Sequence, residues 1–161
     1  MSTPSASAPI AGRHVVRVIA NALNLSTPAG LLLAVLGRTR IQQGPDGLFV
    51  ATGWRLPLPL ARAFTVGDVV ILRSDSWSER LLRHEARHAT QWAWCPLVFL
   101  PLYGLASAWS WVRTGDVWSR NVFEVRAGLA DGGYREQPLR SERRRRAQQS
   151  GTVGDGTRTE L

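Results

Sequence analysis

The chain has 161 residues, 44% of them hydrophobic, which suits one domain with a modest core and is too little for two. Its net charge of +8 comes from 20 arginines and no lysine; residues 135–161 hold seven of those arginines against four acids, so part of the basicity belongs to a tail and not to a binding face. Cys95 is the only cysteine, which excludes an intramolecular disulfide framework and a cysteine-based zinc knuckle.

Residues 1–12, MSTPSASAPIAG, are small and polar and read as a flexible lead-in. They lack the basic start and apolar run of a signal peptide, which points to a cytoplasmic or membrane-associated chain. The next stretch, Val15 to Leu36, is mostly apolar but is broken by Arg17, Asn21, Asn24 and Ser26-Thr27-Pro28. That pattern predicts two short helices joined at NLSTP, the second capped by Ser26 or Thr27. Gly44-Pro45-Asp46-Gly47, flanked by Ile41 and by Leu48-Phe49-Val50, reads as a hairpin. Thr65-Val66-Gly67-Asp68 reads as a turn into Val69-Val70-Ile71-Leu72, a β-branched run suited to a buried strand. Ser76-Trp77-Ser78-Glu79 matches a capping box and predicts a helix from near Trp77.

That helix carries His84-Glu85-Ala86-Arg87-His88. Residues four apart on a helix lie one above the other, so His84 and His88 can offer imidazole nitrogens to one ion. Glu85 lies about 100° round the helix from His84, at the flank of that face, where it can reach a metal-bound water without competing for the metal. Ordinary composition produces the pattern in about one in two hundred chains of this length, so its setting has to decide. The setting is an amphipathic, capped helix, with Trp77, Leu81, Leu82, Ala86, Ala89 and Ala93 available to pack on a core.

The segment Cys95 to Val112, CPLVFLPLYGLASAWSWV, carries no charge and reaches the lower length limit for a bilayer span. Pro96, Pro101 and Gly104 argue against one continuous helix, and the segment is read as a hydrophobic hairpin that packs in the core or touches a membrane surface. Downstream, Asn121-Val122-Phe123-Glu124 starts another helix. Glu124 lies far enough beyond His88 for the chain to turn back and supply a third metal ligand, which a two-histidine site needs to hold zinc firmly. Asn121 shares its face and can orient a ligand, Gln91 can hydrogen-bond around the site, and Asp131 can orient a histidine or end the helix. Residues 135–161 are charged and nearly free of apolar side chains and read as a disordered Arg-rich tail. Arg143 to Arg146 could touch nucleic acid or acidic lipid but are read as solvated, because no aromatics interleave them and no nucleic-acid fold is recognisable.

HEARHATQW followed by NVFEVRAG resembles the gluzincin arrangement of zinc metallopeptidases, and in particular small bacterial zincin-like proteins with an HExxHxxQ helix and an N-x-F-E-x-x-A helix. The resemblance covers roughly residues 65–131. It implies Zn2+ held by His84, His88 and Glu124, Glu85 as general base, and a peptide or protein substrate. The third histidine of a metzincin is absent. Candidates for stabilising an oxyanion are Tyr103, Tyr134, Arg87 and Arg126. The expected fold is therefore α+β and mainly helical: a minimal zincin-like domain over residues 13–134 with a small β element, the motif helix, and the Glu124 helix. The rival reading is a non-catalytic zinc-binding or membrane-associated interaction protein, in which the ion only ties helices together.

Overall fold

The computed structural model describes residues 12–153 except 58, 60 and 97, so the lead-in expected over residues 1–12 lies outside the described residues apart from Gly12. The architecture is α+β and mainly helical, as the sequence predicts. In chain order the elements are α1 (Gly12–Leu23), α2 (Ser26–Leu36), β1 (Arg40–Gln43), β2 (Phe49–Thr52), β3 (Ala63–Val66), β4 (Val69–Leu72), α3 (Glu79–Trp94), α4 (Phe99–Thr114), α5 (Val122–Ala127) and α6 (Arg140–Val153).

The four strands form one sheet in the order β1-β2-β4-β3. β1 and β2 are the expected hairpin, antiparallel with Ile41 opposite Ala51. β2 and β4 run parallel, and β3 returns antiparallel to β4 with Thr65 opposite Val70. All four residues of β4 are buried, because helices cover both faces of the sheet at its centre. On one face Val50, Val70 and Leu72 pack with Leu82 and Ala89 of α3. On the other, Ala51, Val69 and Ile71 pack with Ala34 of α2 and with Trp54. Alternate residues of each strand thus feed opposite layers, and Thr65 falls on the α3 side.

The polar residues that interrupt the N-terminal apolar stretch are structural. Arg17 is buried and donates from Nε to Asp68 Oδ1 at 2.7 Å and from Nη2 to the Asp46 carbonyl at 2.6 Å. Thr27 Oγ1 donates to Asp68 Oδ2 at 3.1 Å and accepts from the Asp68 N–H at 3.0 Å. One carboxylate therefore ties both N-terminal helices to the β3–β4 turn. Asn21 donates to the Ala89 carbonyl of α3 at 2.9 Å.

Several sequence expectations need correction. Ser26 and Thr27 lie inside α2, whose N-cap is Leu25 with no side-chain cap; their hydroxyls are committed to Asn21 and Asp68 instead. The cap of α3 is Ser78, which accepts from the Leu81 N–H at 3.2 Å, so the helix starts two residues later than a box on Ser76 requires. β3 occupies residues read as a turn. The segment read as a hydrophobic hairpin forms the single helix α4 from Phe99, because Pro101 falls in its first turn, where the missing N–H costs no hydrogen bond. Within residues 135–161, read as disordered, the chain forms α6 over Arg140–Val153, and residues 154–161 lie outside the described residues. Arg, Glu, Ala and Gln favour helix, and the start of α6 is anchored by Arg140 over the Trp111 ring and by Arg143 donating to the Thr114 carbonyl.

Candidate metal centre

α3 presents His84, Glu85 and His88 towards the interior because Leu82, Ala89 and Trp92 on the same side pack under the sheet. α5 lies across it, only six residues long, with Asn121 as its N-cap accepting from the Phe123 N–H at 2.9 Å. Glu124 thereby points at the two histidines. His84 Nε2 lies 3.2 Å from Glu124 Oε2, His88 Nε2 lies 3.4 Å from Glu124 Oε1, and the two Nε2 atoms are 3.1 Å apart. One ligand atom from each residue falls within 4.8 Å of the others, and all three residues are buried.

The outer hydrogen bonds decide which nitrogen faces the centre. His84 Nδ1 meets two backbone carbonyls, Ala127 at 3.1 Å and Gly128 at 3.0 Å. Carbonyls only accept, so Nδ1 carries the proton and Nε2 offers its lone pair. Gln91 donates from its amide nitrogen to the Phe123 carbonyl at 2.9 Å, which turns its oxygen towards His88 Nδ1 at 2.8 Å and fixes the same tautomer there. Two lone pairs and a carboxylate thus converge on one point. Glu124 Oε2 is buried with no hydrogen-bond donor, and a cation at that point would satisfy it. His84, His88 and Glu124 are therefore a buried group that can bind a metal ion.

In the absence of a cation the electrostatics show the same demand. Burial opposes charge on His84, yet the hydrogen bond to Glu124 and the charges of Glu85 and Glu124 outweigh it and raise its pKa above the usual histidine value. Burial likewise opposes charge on Glu124, but with the imidazoles protonated in place of a cation, hydrogen bonds from His84 and His88, together with that from Tyr103, bring its carboxyl down to about 2. The centre draws a positive charge, as a proton or as a metal.

Glu85 is also buried, and burial raises its pKa; Thr65 Oγ1 on β3 donates to its Oε2 at 2.7 Å. Trp92 Nε1 donates to the Thr65 carbonyl at 2.8 Å, so β3 is held against α3 where Glu85 needs it. Glu85 sits between two hollows of the surface. One, about 520 Å³, is lined by the three candidate ligands, Tyr103, Tyr134 and apolar side chains including Phe64 and Phe99. The other, about 570 Å³, also reaches Glu85 and Tyr134 and extends to Ser78, Trp118 and Asp131.

No family model, curated protein or solved structure matches the chain. The site is therefore interpreted from its own geometry.

The structure brings His84, Glu85, His88 and Glu124 together and sorts the other candidates. Tyr103 donates to Glu124 Oε1 and so holds a ligand. Arg87 donates to the Ala127 carbonyl at 2.6 Å and to Asp131 Oδ2 at 3.0 Å, bracing the loop behind His84. Arg126 is exposed on α5. Tyr134 lines both hollows, its ring 6.2 Å from that of His84 and stacked on Trp118. Asp131 pairs with Arg80 and Arg87 and touches no histidine, because α5 already ends at Ala127. The Asn121 amide caps α5 and donates to Ser107 Oγ at 2.9 Å; it does not orient a ligand.

Two positions escaped the sequence reading. Thr65 positions Glu85, but its strand is short and resembles a turn. Gly132 lies against the His84 ring so closely that an added Cβ would stand 2.6 Å from Cε1 and 2.8 Å from Nε2. Only a residue without a side chain leaves room for the ring, and a contact so distant in sequence has no local signature.

Proposed function

We propose that the protein is a zinc-dependent hydrolase of gluzincin-like type, most simply a metallopeptidase, with His84, His88 and Glu124 as ligands and Glu85 as general base. The observation that carries this reading is the convergence of two Nε2 lone pairs and an undonated carboxylate oxygen beside a buried carboxylate in one cavity. Two imidazoles and one carboxylate suit zinc, and three protein ligands leave a coordination position for water, as hydrolytic sites do. Zinc bound there would polarise a carbonyl and acidify water. The other tasks fall to the chain. Glu85, with its pKa raised by burial and its Oε2 held by Thr65, takes a proton from the attacking water and passes it to the leaving amine. Tyr134 faces the same cavity and can donate to the oxyanion, while the apolar lining excludes bulk water.

The test is metal content together with turnover of a mixed peptide pool. Glu85→Gln should keep one zinc per chain and lose turnover by about a hundredfold or more. Glu124→Ala should lose the metal. Turnover undiminished in Glu85→Gln would remove the mechanism. A zinc-loaded protein that hydrolyses nothing, and unfolds when stripped, would make the ion a tie between α3 and α5 instead.

A further inference from the structure

α4 is amphipathic in the reverse of the usual sense. Its inward face is largely polar and fully engaged: Tyr103 bonds Glu124, Ser107 accepts from Asn121, Ser110 Oγ donates to the Asp116 carbonyl at 2.7 Å, and Thr114 is buried. Its outward face is apolar. Val98, Leu102, Leu105, Trp109 and Val112 recur at alternating spacings of four and three, which aligns them in one stripe, and each is exposed; Leu105 is 68% and Trp109 59% accessible. A surface helix ordinarily turns its apolar stripe inward, so a stripe left outside calls for a covering partner.

The surroundings identify the partner's chemistry. The Arg113 guanidinium lies 5.1 Å from the Trp109 ring centre and that of Arg140 lies 5.5 Å from Trp111. Arg143 to Arg146 follow on α6, and α4 itself contains no acid. Tryptophan beside arginine along an apolar stripe matches the boundary between acyl chains and acidic headgroups. A two-fold pairing of the same face in a second copy would crowd these arginines into one seam, where like charges repel. At 1.5 Å per residue the helix is about 24 Å long, short of the ~30 Å hydrocarbon core, so it lies along the surface. Among the described residues no single helix is long and apolar enough to cross a membrane. A second apolar group adjoins the start of α4. Asn24 on the loop after α1 donates to the Trp92 carbonyl at 3.5 Å, which brings the exposed Leu23 and Leu25 to the end of α3 that carries exposed Trp94.

We infer that α4 is a membrane-surface anchor that docks its outward stripe on an anionic lipid bilayer. Phe99, Leu100 and Tyr103 of the same helix line the cavity of the metal centre, so docking sets that cavity beside the lipid–water boundary. The inference does not depend on the site being catalytic.

Flotation of the full chain with vesicles of phosphatidylcholine alone, or of phosphatidylcholine with phosphatidylglycerol, tests it. The protein should float with the anionic vesicles, less so as salt rises. The double substitution Leu105→Glu/Trp109→Glu should lower that binding about tenfold or more, with an unchanged thermal melt because both side chains are exposed. Failure of the unaltered protein to bind anionic vesicles overturns the inference. Equal binding by the double variant also overturns it, since the arginine run would then suffice. A lipid-free dimer that the same substitutions convert to monomer gives the face to a second copy.

Discussion

α3 and α4 are both 16 residues long and meet at one corner of the domain, yet they bury opposite kinds of surface. α3 is rich in arginine, glutamate and histidine, and it is the helix that packs under the sheet. α4 is almost entirely apolar, and it keeps its leucines and tryptophans in the open. The difference lies in what each inner face must satisfy. On α3, Leu82, Ala89 and Trp92 supply the apolar contacts, while His84 donates to the Ala127 and Gly128 carbonyls, His88 donates to Gln91 and Glu85 accepts from Thr65. α4 supports α5 and the loop before it: Tyr103 donates to Glu124, Ser107 accepts from Asn121, and Ser110 donates to the Asp116 carbonyl and accepts from the Arg120 N–H, so its polar side must turn inward.

The strongest way to break this contrast is to remove one leucine from each helix. Leu82→Ala should destabilise the domain by about 2–4 kcal/mol, because it opens a cavity between α3 and the sheet. Leu105→Ala should change stability by no more than about 0.5 kcal/mol. Paired denaturant melts measure both, and equal losses would mean that the outward face of α4 is covered in the isolated protein.

A smaller effect belongs to the seat of the metal centre. Gly132→Ala places a methyl group against the His84 ring, and on the proposed zinc-site reading zinc affinity should fall about 10–100-fold, as for other changes that misorient a ligand. Competition with a chromogenic chelator reads this, and wild-type affinity would show that the loop yields without moving the ring.

The pH dependence of the stripped protein is expected to be milder still. Glu124, depressed from 4.5 to about 2, contributes stability above pH 4.5 that is lost as pH falls towards 2. His84, raised above 6.5, contributes stability that is complete below pH 6.5 and lost as pH rises through its folded value. The buried Glu85 carboxyl, also raised, contributes stability that is complete below pH 4.5 and lost as pH rises through its folded value, so it draws the maximum towards the acid side. Melting of chelated protein should therefore peak between about pH 4.5 and 6.5, with added zinc stabilising most above that window. A flat profile would contradict these shifts.

The residues of the centre were legible because their chemistry is local: two histidines one turn apart with a glutamate beside the first leave few other arrangements. Glu124 was singled out by asking for a third ligand, and it falls beside both histidines. Its Asn121-x-x-Glu124 setting is also what a helix start looks like, and the structure uses Asn121 to cap α5 and to bond Ser107. The hairpin at Gly44–Gly47 and the buried β4 were legible from turn residues and β-branching. What escaped depends on neighbours remote in sequence. Four residues of β3 gain strand identity only from β4, the place of Gly132 is defined by the ring it must not touch, and α4 can be recognised as one helix only when its proline falls within the first turn. The orientation of α4 was beyond hydropathy, which would turn its leucines inward.

The buried Arg17–Asp68 contact has a consequence for how the chain reaches this state. Its partners lie 51 residues apart and the same guanidinium also holds the Asp46 carbonyl, so helix, hairpin and turn must all be present before the guanidinium has all its partners. A chain lacking α1 would leave Asp68 buried without its counter-charge, a defect that typically costs about 3–5 kcal/mol. The N-terminal helices and the sheet are therefore one cooperative folding unit, and the strand that steadies Glu85 acquires its final place only in that concerted, long-range step.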